Sequence, residues 1–241
     1  MNPNEFSFTL DGREIAFEPG QTVIEAATQA GAYIPHLCYH PDLSVHGSCK
    51  LCTVKVNGRL VSACTQPAQA GATVENDTSE LRRDRQRLLQ MLFVEGNHFC
   101  PFCEKSGSCQ LQAQAYLGGM QELHFVSFFP RRAVDASHPE VWLDRDRCIN
   151  CALCVRASNE VDHKNVFGMA GRGMDTHLVV NSRSGLLGDT DLAATDLAAN
   201  ICPTGALLPK RHGYVIPIGE RPYDCHTIAE VCETPTVELK P

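Results

Sequence analysis

Asn97-His98-Phe99-Cys100-Pro101-Phe102-Cys103-Glu104-Lys105-Ser106-Gly107-Ser108-Cys109 sets three cysteines at C-x2-C-x5-C spacing behind one histidine. Three thiolates and one imidazole are four soft or borderline ligands, enough for one metal centre. Four cysteines precede this stretch (Cys38, Cys49, Cys52 and Cys64) and four follow it in a different pattern (Cys148, Cys151, Cys154 and Cys202). The chain therefore reads as three metal sites in a row. An odd total of 13 cysteines, repeated C-x2-C pairs and no visible export signal argue against a disulfide scaffold. Zinc and iron–sulfur clusters remain, and zinc sites usually pair two separated C-x2-C knuckles.

Toward the N-terminus, Phe6 to Leu10 and Glu14 to Phe17 alternate apolar and polar residues around Asp11-Gly12, a hairpin signal. Thr22-Val23-Ile24-Glu25 is a capping box opening a helix from Val23 to Ala30, which Gly31 ends. Thr53 to Val56 and Leu60 to Ala63 flank Asn57-Gly58, a type I′ turn signal. Hairpin, helix, loop and hairpin suit a small β-grasp domain whose loop carries Cys38, Cys49, Cys52 and Cys64 at C-x10-C-x2-C-x11-C spacing. Gly47, just before the Cys49/Cys52 pair, suits a backbone that must curl so that its N–H groups face sulfur. Cys38-Tyr39-His40 hints at a Rieske centre, but Lys55 stands where the partner histidine belongs. His36, His40 and His46 are read as loop residues, and zinc stays open as the alternative for these four cysteines.

Asp77-Thr78-Ser79-Glu80 is a second capping signature, followed by Leu81, Leu88, Leu89 and Leu92 at helical spacing and a stop at Gly96. Arg82, Arg83, Arg85 and Arg87 are read as its solvated face. Gln110 to Leu117 predicts a short helix stopped by Gly118-Gly119. Further on, Val141-Trp142-Leu143 predicts a strand leading into Cys148. Val166 to Met169 and Leu178 to Asn181 are expected in the same sheet, and Leu192 to Asn200 as a helix delivering Cys202. C-x2-C-x2-C with a distant Cys-Pro is the bacterial ferredoxin signature. No second triplet exists, so Cys202 closes the same site as Cys148, Cys151 and Cys154. Three cysteines at this spacing suit zinc poorly.

A net charge of −7 and no long Lys/Arg run give no reason to expect nucleic acid. The longest apolar run, Met91-Leu92-Phe93-Val94, is far too short for a membrane span, and Met1-Asn2-Pro3-Asn4-Glu5 lacks a signal-peptide pattern. The expectation is a cytoplasmic protein. Gly168, Gly171 and Gly173 do not form G-x-G-x-x-G, so no nucleotide or flavin site is expected, and no catalytic arrangement is visible. Cys225 and Cys232 are left over as incidental thiols. The Pro-bearing tail after Leu207 has no helical period and is read as an extended arm lying on a partner subunit.

The four N-terminal cysteines resemble the [2Fe-2S] domain at the front of the large iron–sulfur subunit of respiratory complex I and related hydrogenases. A helix followed by His, C-x2-C and C-x5-C resembles the His-ligated [4Fe-4S] domain of the same proteins. The wider family keeps that histidine four positions before the first cysteine. Here Gly96 holds that position and His98 lies two before Cys100. The order of sites and the length resemble the small diaphorase subunit of NAD-reducing soluble [NiFe] hydrogenases.

The resemblance implies an α+β chain in four parts. These are an N-terminal β-grasp [2Fe-2S] ferredoxin-like domain (1–76), a helical His/Cys3 [4Fe-4S] segment (77–124), a C-terminal bacterial-ferredoxin-like [4Fe-4S] domain (125–208) and an arm (209–241). It implies one [2Fe-2S] cluster on Cys38, Cys49, Cys52 and Cys64. It also implies two [4Fe-4S] clusters, one on His98, Cys100, Cys103 and Cys109 and one on Cys148, Cys151, Cys154 and Cys202. The implied partners are a flavoprotein with FMN and an NAD site, and the small and large subunits of a [NiFe] hydrogenase. The alternatives are the same wire in an NAD-linked formate dehydrogenase or a complex I-like assembly, and, from another class, a structural zinc or redox-sensor protein.

Overall fold

A computed structural model describes residues 6–211 and 213–233. β1 (Ser7–Leu10) and β2 (Arg13–Ala16) pair antiparallel, with Leu10 facing Arg13 across Asp11-Gly12. Both turn residues have positive φ, 47° and 85°, as a type I′ turn requires. α1 (Val23–Gln29) opens on the expected capping box: Thr22 Oγ1 accepts the Glu25 amide, and the Glu25 carboxylate accepts the Thr22 amide. The second hairpin, β3 (Thr53–Val56) and β4 (Arg59–Ser62), turns at Asn57-Gly58.

β5 (Thr73–Glu75) was not expected from the sequence. It pairs parallel to β1 and antiparallel to β3, and so becomes the centre of a five-stranded sheet in the order β2-β1-β5-β3-β4. Three residues are too few to display a period, and both partners are distant in sequence. Val23, Ile24, Ala26 and Ala27 of α1 pack with Phe8, Leu10, Ile15, Val54 and Val74 of the sheet in one core.

α2 (Ser79–Val94) starts at Thr78, whose hydroxyl accepts the Leu81 amide. One residue of its arginine row departs from the expected solvated face. Arg85 is buried and donates to the carbonyls of Leu51, Thr53 and Asn76 and to Asn76 Oδ1. It lies four residues after Leu81 and four before Leu89, on the inward stripe of the helix. α3 (Gln110–Leu117) follows Cys109 directly and ends at Gly118.

The C-terminal half contains β6 (Val134–Asp135), β7 (Val141–Asp144), α4 (Leu153–Glu160), β8 (Phe167–Ala170), β9 (His177–Val180), α5 (Leu197–Asn200), β10 (Leu207–Pro209) and α6 (Ile228–Glu233). Here the structure corrects three expectations. β8 and β9 form their own two-stranded sheet, while β7 pairs with β10 and β6. The helix before Cys202 covers only Leu197–Asn200, because the Asp196 carboxylate takes the Ala193 amide and the Lys164 ammonium and holds 193–196 as a turn. The segment read as an extended arm contains α6 and folds back over the loop before α3. Arg221 Nη1 donates to the Ser106 carbonyl and the Tyr223 amide to that of Gly107. The last part of that segment, 234–241, lies outside the described residues.

Two further apolar clusters join the parts. One places Cys38 and Leu43 among Val141, Leu143, Cys151, Leu153 and Phe167; the other joins Leu37 and Leu51 to Leu89, Cys109 and Leu111. Among the described residues, no helix is long and apolar enough to cross a membrane.

Candidate metal centres

The loop between α1 and β3 and the start of β4's exit bring Cys38, Cys49, Cys52 and Cys64 together as two pairs. Cys38 and Cys49 are hydrogen-bonded through their side chains, and Cys52 and Cys64 have Sγ atoms 3.4 Å apart. The Cys49 thiol lowers Cys38 to about 5, with burial opposing and the amides of Cys49 and Ser48 assisting; the same bond raises Cys49. In the second pair the mutual hydrogen bond lowers Cys52 to about 7 and raises Cys64. Gly47 has φ +66°, and the chain beyond it curls so that the Cys49 amide stands 3.4 Å from Cys38 Sγ. Nearby, the His36 ring meets the Ile34 carbonyl and His40 Nδ1 accepts the Asp42 amide.

His98, Cys100, Cys103 and Cys109 line one recess of about 320 Å3 between α2 and α3, with Phe93, Ser106, Leu111, Gln112, Arg147 and Gly205 completing its wall. Cys109 is positioned as the residue before α3, and its burial raises it to about 12. Burial, then the nearby Arg147 guanidinium, hold His98 down at about 4, so the ring is neutral. One ring nitrogen meets the Leu92 carbonyl. The other, Nε2, is the one buried side-chain nitrogen or oxygen among the described residues that has no hydrogen-bond partner. A buried nitrogen left without a partner calls for an explanation, and a lone pair reserved for a metal supplies one. The imidazole lies edge-on to Phe93, ring centroids 5.3 Å apart. It also fills the space beside Gly96, where an added Cβ would come within 2.7 Å of Nε2.

Cys148, Cys151, Cys154 and Cys202 line a second recess of about 370 Å3, walled by Leu143, Ile149, Met169, Leu178 and Pro203. Asn150 and Ala152 adopt the left-handed conformation, φ 53° and 56°, which coils the triplet tightly before α4 begins at Leu153. The Asn150 amide lies 3.5 Å from Cys148 Sγ, and Thr204 Oγ1 lies 3.6 Å from Cys202 Sγ. Burial raises Cys148 to about 11 and pushes Cys151 and Cys154 higher.

All twelve expected residues thus fall into three groups of four. Cys225 and Cys232 are exposed and line neither recess. The sequence reading missed Arg147 and Gly205 at the middle recess, whose only signal was adjacency to Cys148 and to Cys202-Pro203. Among the described residues, those of the three groups included, no three His, Cys, Asp or Glu side chains close on a point tightly enough to hold a single ion.

Fold and sites define an iron–sulfur protein with three cluster-binding regions in series. Residues 4–79 match the family described as 2Fe-2S iron-sulfur cluster binding domain, 85–124 the NADH-ubiquinone oxidoreductase-G iron-sulfur binding region, and 141–208 the 4Fe-4S single cluster domain. The chain is 40% identical over 221 residues to the NAD-reducing hydrogenase HoxS subunit gamma of Cupriavidus necator, covering 91% of this chain and 94% of that protein. It belongs to that family. It is also 34% identical over 218 residues to the mitochondrial NADH-ubiquinone oxidoreductase 78 kDa subunit of Candida albicans, of which it spans 29%. A chain in a crystal structure of NAD+-reducing [NiFe]-hydrogenase in the H2-reduced state is 53% identical, with a TM-score of 0.91 over 95% of this chain and 100% of that one.

Proposed function

We propose that the chain is the electron-transfer subunit of an NAD-reducing hydrogenase. It relays electrons between a [NiFe] hydrogenase module, of small and large subunits, and a flavoprotein module where FMN passes them to NAD+. The overall reaction is H2 + NAD+ to NADH + H+, it runs in the cytoplasm, and the chain has no substrate site of its own. Iron–sulfur clusters, when bound, supply one-electron chemistry at potentials tuned by ligands, hydrogen bonds and burial.

The assignment of residues follows the three groups. Cys38 with Cys49, and Cys52 with Cys64, suit the two irons of a [2Fe-2S] cluster, one pair to each. His98, Cys100, Cys103 and Cys109 hold one [4Fe-4S] cluster, and Cys148, Cys151, Cys154 and Cys202 the other. The five-stranded sheet with α1 across it supports reading 1–76 as a β-grasp domain. The middle domain is then 77–124, the last 125–208, and 209–241 an appendage. The observation that carries this reading is the unpartnered Nε2 of a neutral, buried His98 sharing a recess with three cysteines. A structural zinc would need three or four donors about one point. Here each four-residue [4Fe-4S] set stands around the wall of a recess instead.

Anaerobic purification tests the reading. About 10 Fe per chain with matching sulfide is expected, from one two-iron and two four-iron clusters. A colourless, zinc-rich protein would overturn it. Co-purifying subunits decide the partner: a nickel enzyme supports the hydrogenase, and a molybdenum formate dehydrogenase replaces it with the alternative assembly.

A further inference from the structure

Arg147 precedes Cys148, so its backbone belongs to the third site, yet its side chain crosses to the middle one. Nη1 lies 3.6 Å from Cys103 Sγ, within hydrogen-bonding range of sulfur, and 3.1 Å from Glu104 Oε2. Nε meets Asp144 Oδ2 at 2.9 Å, and the guanidinium plane lies over the Trp142 ring, 5.2 Å from its centroid. Two carboxylates and an indole therefore fix a permanently charged fork against one thiolate. The side chain is only 17% exposed, so water screens that charge poorly. At its other end, the Arg147 carbonyl accepts the Thr204 hydroxyl at 2.8 Å, and that hydroxyl lies beside Cys202 Sγ.

We propose that Arg147 sets the redox potential of the middle site, holding it above the value its four ligands would otherwise give. This rests on the cluster assignment made above. An N–H donated to a ligating sulfur, together with a nearby positive charge, stabilises the form that has gained an electron. The third site meets only the uncharged backbone carbonyl of Arg147, through Thr204, so the effect is selective. Glu104 acts in the opposite sense, because its carboxylate offsets part of the same charge.

The test is an EPR-monitored redox titration of the anaerobically purified assembly, comparing wild type with Arg147→Gln, Arg147→Lys and Glu104→Gln at matched iron content. The middle signal is the one that His98→Ala disturbs. Arg147→Gln is expected to shift its midpoint downward and leave the other two signals in place. Arg147→Lys should fall between wild type and Gln, and Glu104→Gln should shift the midpoint upward. If Arg147→Gln loses the middle cluster, Glu104→Gln decides: an upward shift supports the proposal and an unmoved midpoint overturns it. An unmoved middle midpoint in a fully loaded Arg147→Gln, or an equal shift of the third signal, also overturns it. Wild-type protein without iron signals would instead remove the cluster assignment itself.

Discussion

At position 96 a side chain and the His98 imidazole compete for one volume. A Cβ there would stand 2.6 Å from the Asp146 carbonyl as well as 2.7 Å from Nε2, closer than real contacts allow. Forced overpacking of this kind costs about 1–3 kcal/mol, and the ring is the softer neighbour. Gly96→Ala should therefore push the imidazole aside and disturb the same [4Fe-4S] EPR signal as His98→Ala, with the other two clusters spared in both variants. A normal middle signal in His98→Ala would strike this residue from the ligand set; a normal one in Gly96→Ala would show that the ring does not depend on the glycine. Sequence offered twelve candidates but said little of their placement. They stood out because Cys and His, the usual cluster ligands, recur in C-x2-C patterns, while the distant Cys202 was marked by the proline that follows it. That the Gly96-to-His98 departure is one shared space could be seen only with the backbone folded.

Elements with local signals, such as the two hairpins, the capping box of α1 and the glycine stop of α3, were legible because neighbours in sequence make them. β5 and the pairing of β7 with β10 were not, since their hydrogen bonds join segments tens of residues apart. The arginine row of α2 shows how a pattern misleads when its phase is ignored. Arg85→Ala should strand the carbonyls of Leu51, Thr53 and Asn76, and hydrogen bonds to a charged group contribute about 1.5–3 kcal/mol each. A marked fall in thermal unfolding temperature is expected, while Arg83→Ala on the exposed face should leave it within a degree or two. Equal effects would contradict the buried bridge. The segment after β10 is tied down at Arg221, which pairs with Asp224 and donates to the Ser106 carbonyl. Arg221→Ala should release it, read as faster limited proteolysis within 213–227; an unchanged digestion rate would locate its anchor elsewhere.

Taken as a whole, the molecule is less divisible than its motif spacing suggests. Leu37, Leu43 and Leu51 belong by sequence to the first region but are buried against residues from the other two. Burying a leucine contributes about 1.5–3 kcal/mol, so the three together are comparable to the full stability of a small domain, about 5 kcal/mol at the lower end. A fragment of residues 1–76 should bind an apolar dye and lose its [2Fe-2S] visible spectrum to a chelator faster than the whole chain. Equal rates would show that the first region stands alone. The wide separation of Cys154 from Cys202 also bears on biosynthesis. The His98–Cys109 set leaves the ribosome as one short piece, whereas 47 residues must be made between the triplet and its fourth member. At about 5–20 residues per second, the triplet waits roughly 2–10 s before its fourth member is made. The third centre is thus the last of the three to be completed in the nascent chain, and the one most in need of a reducing environment while it waits.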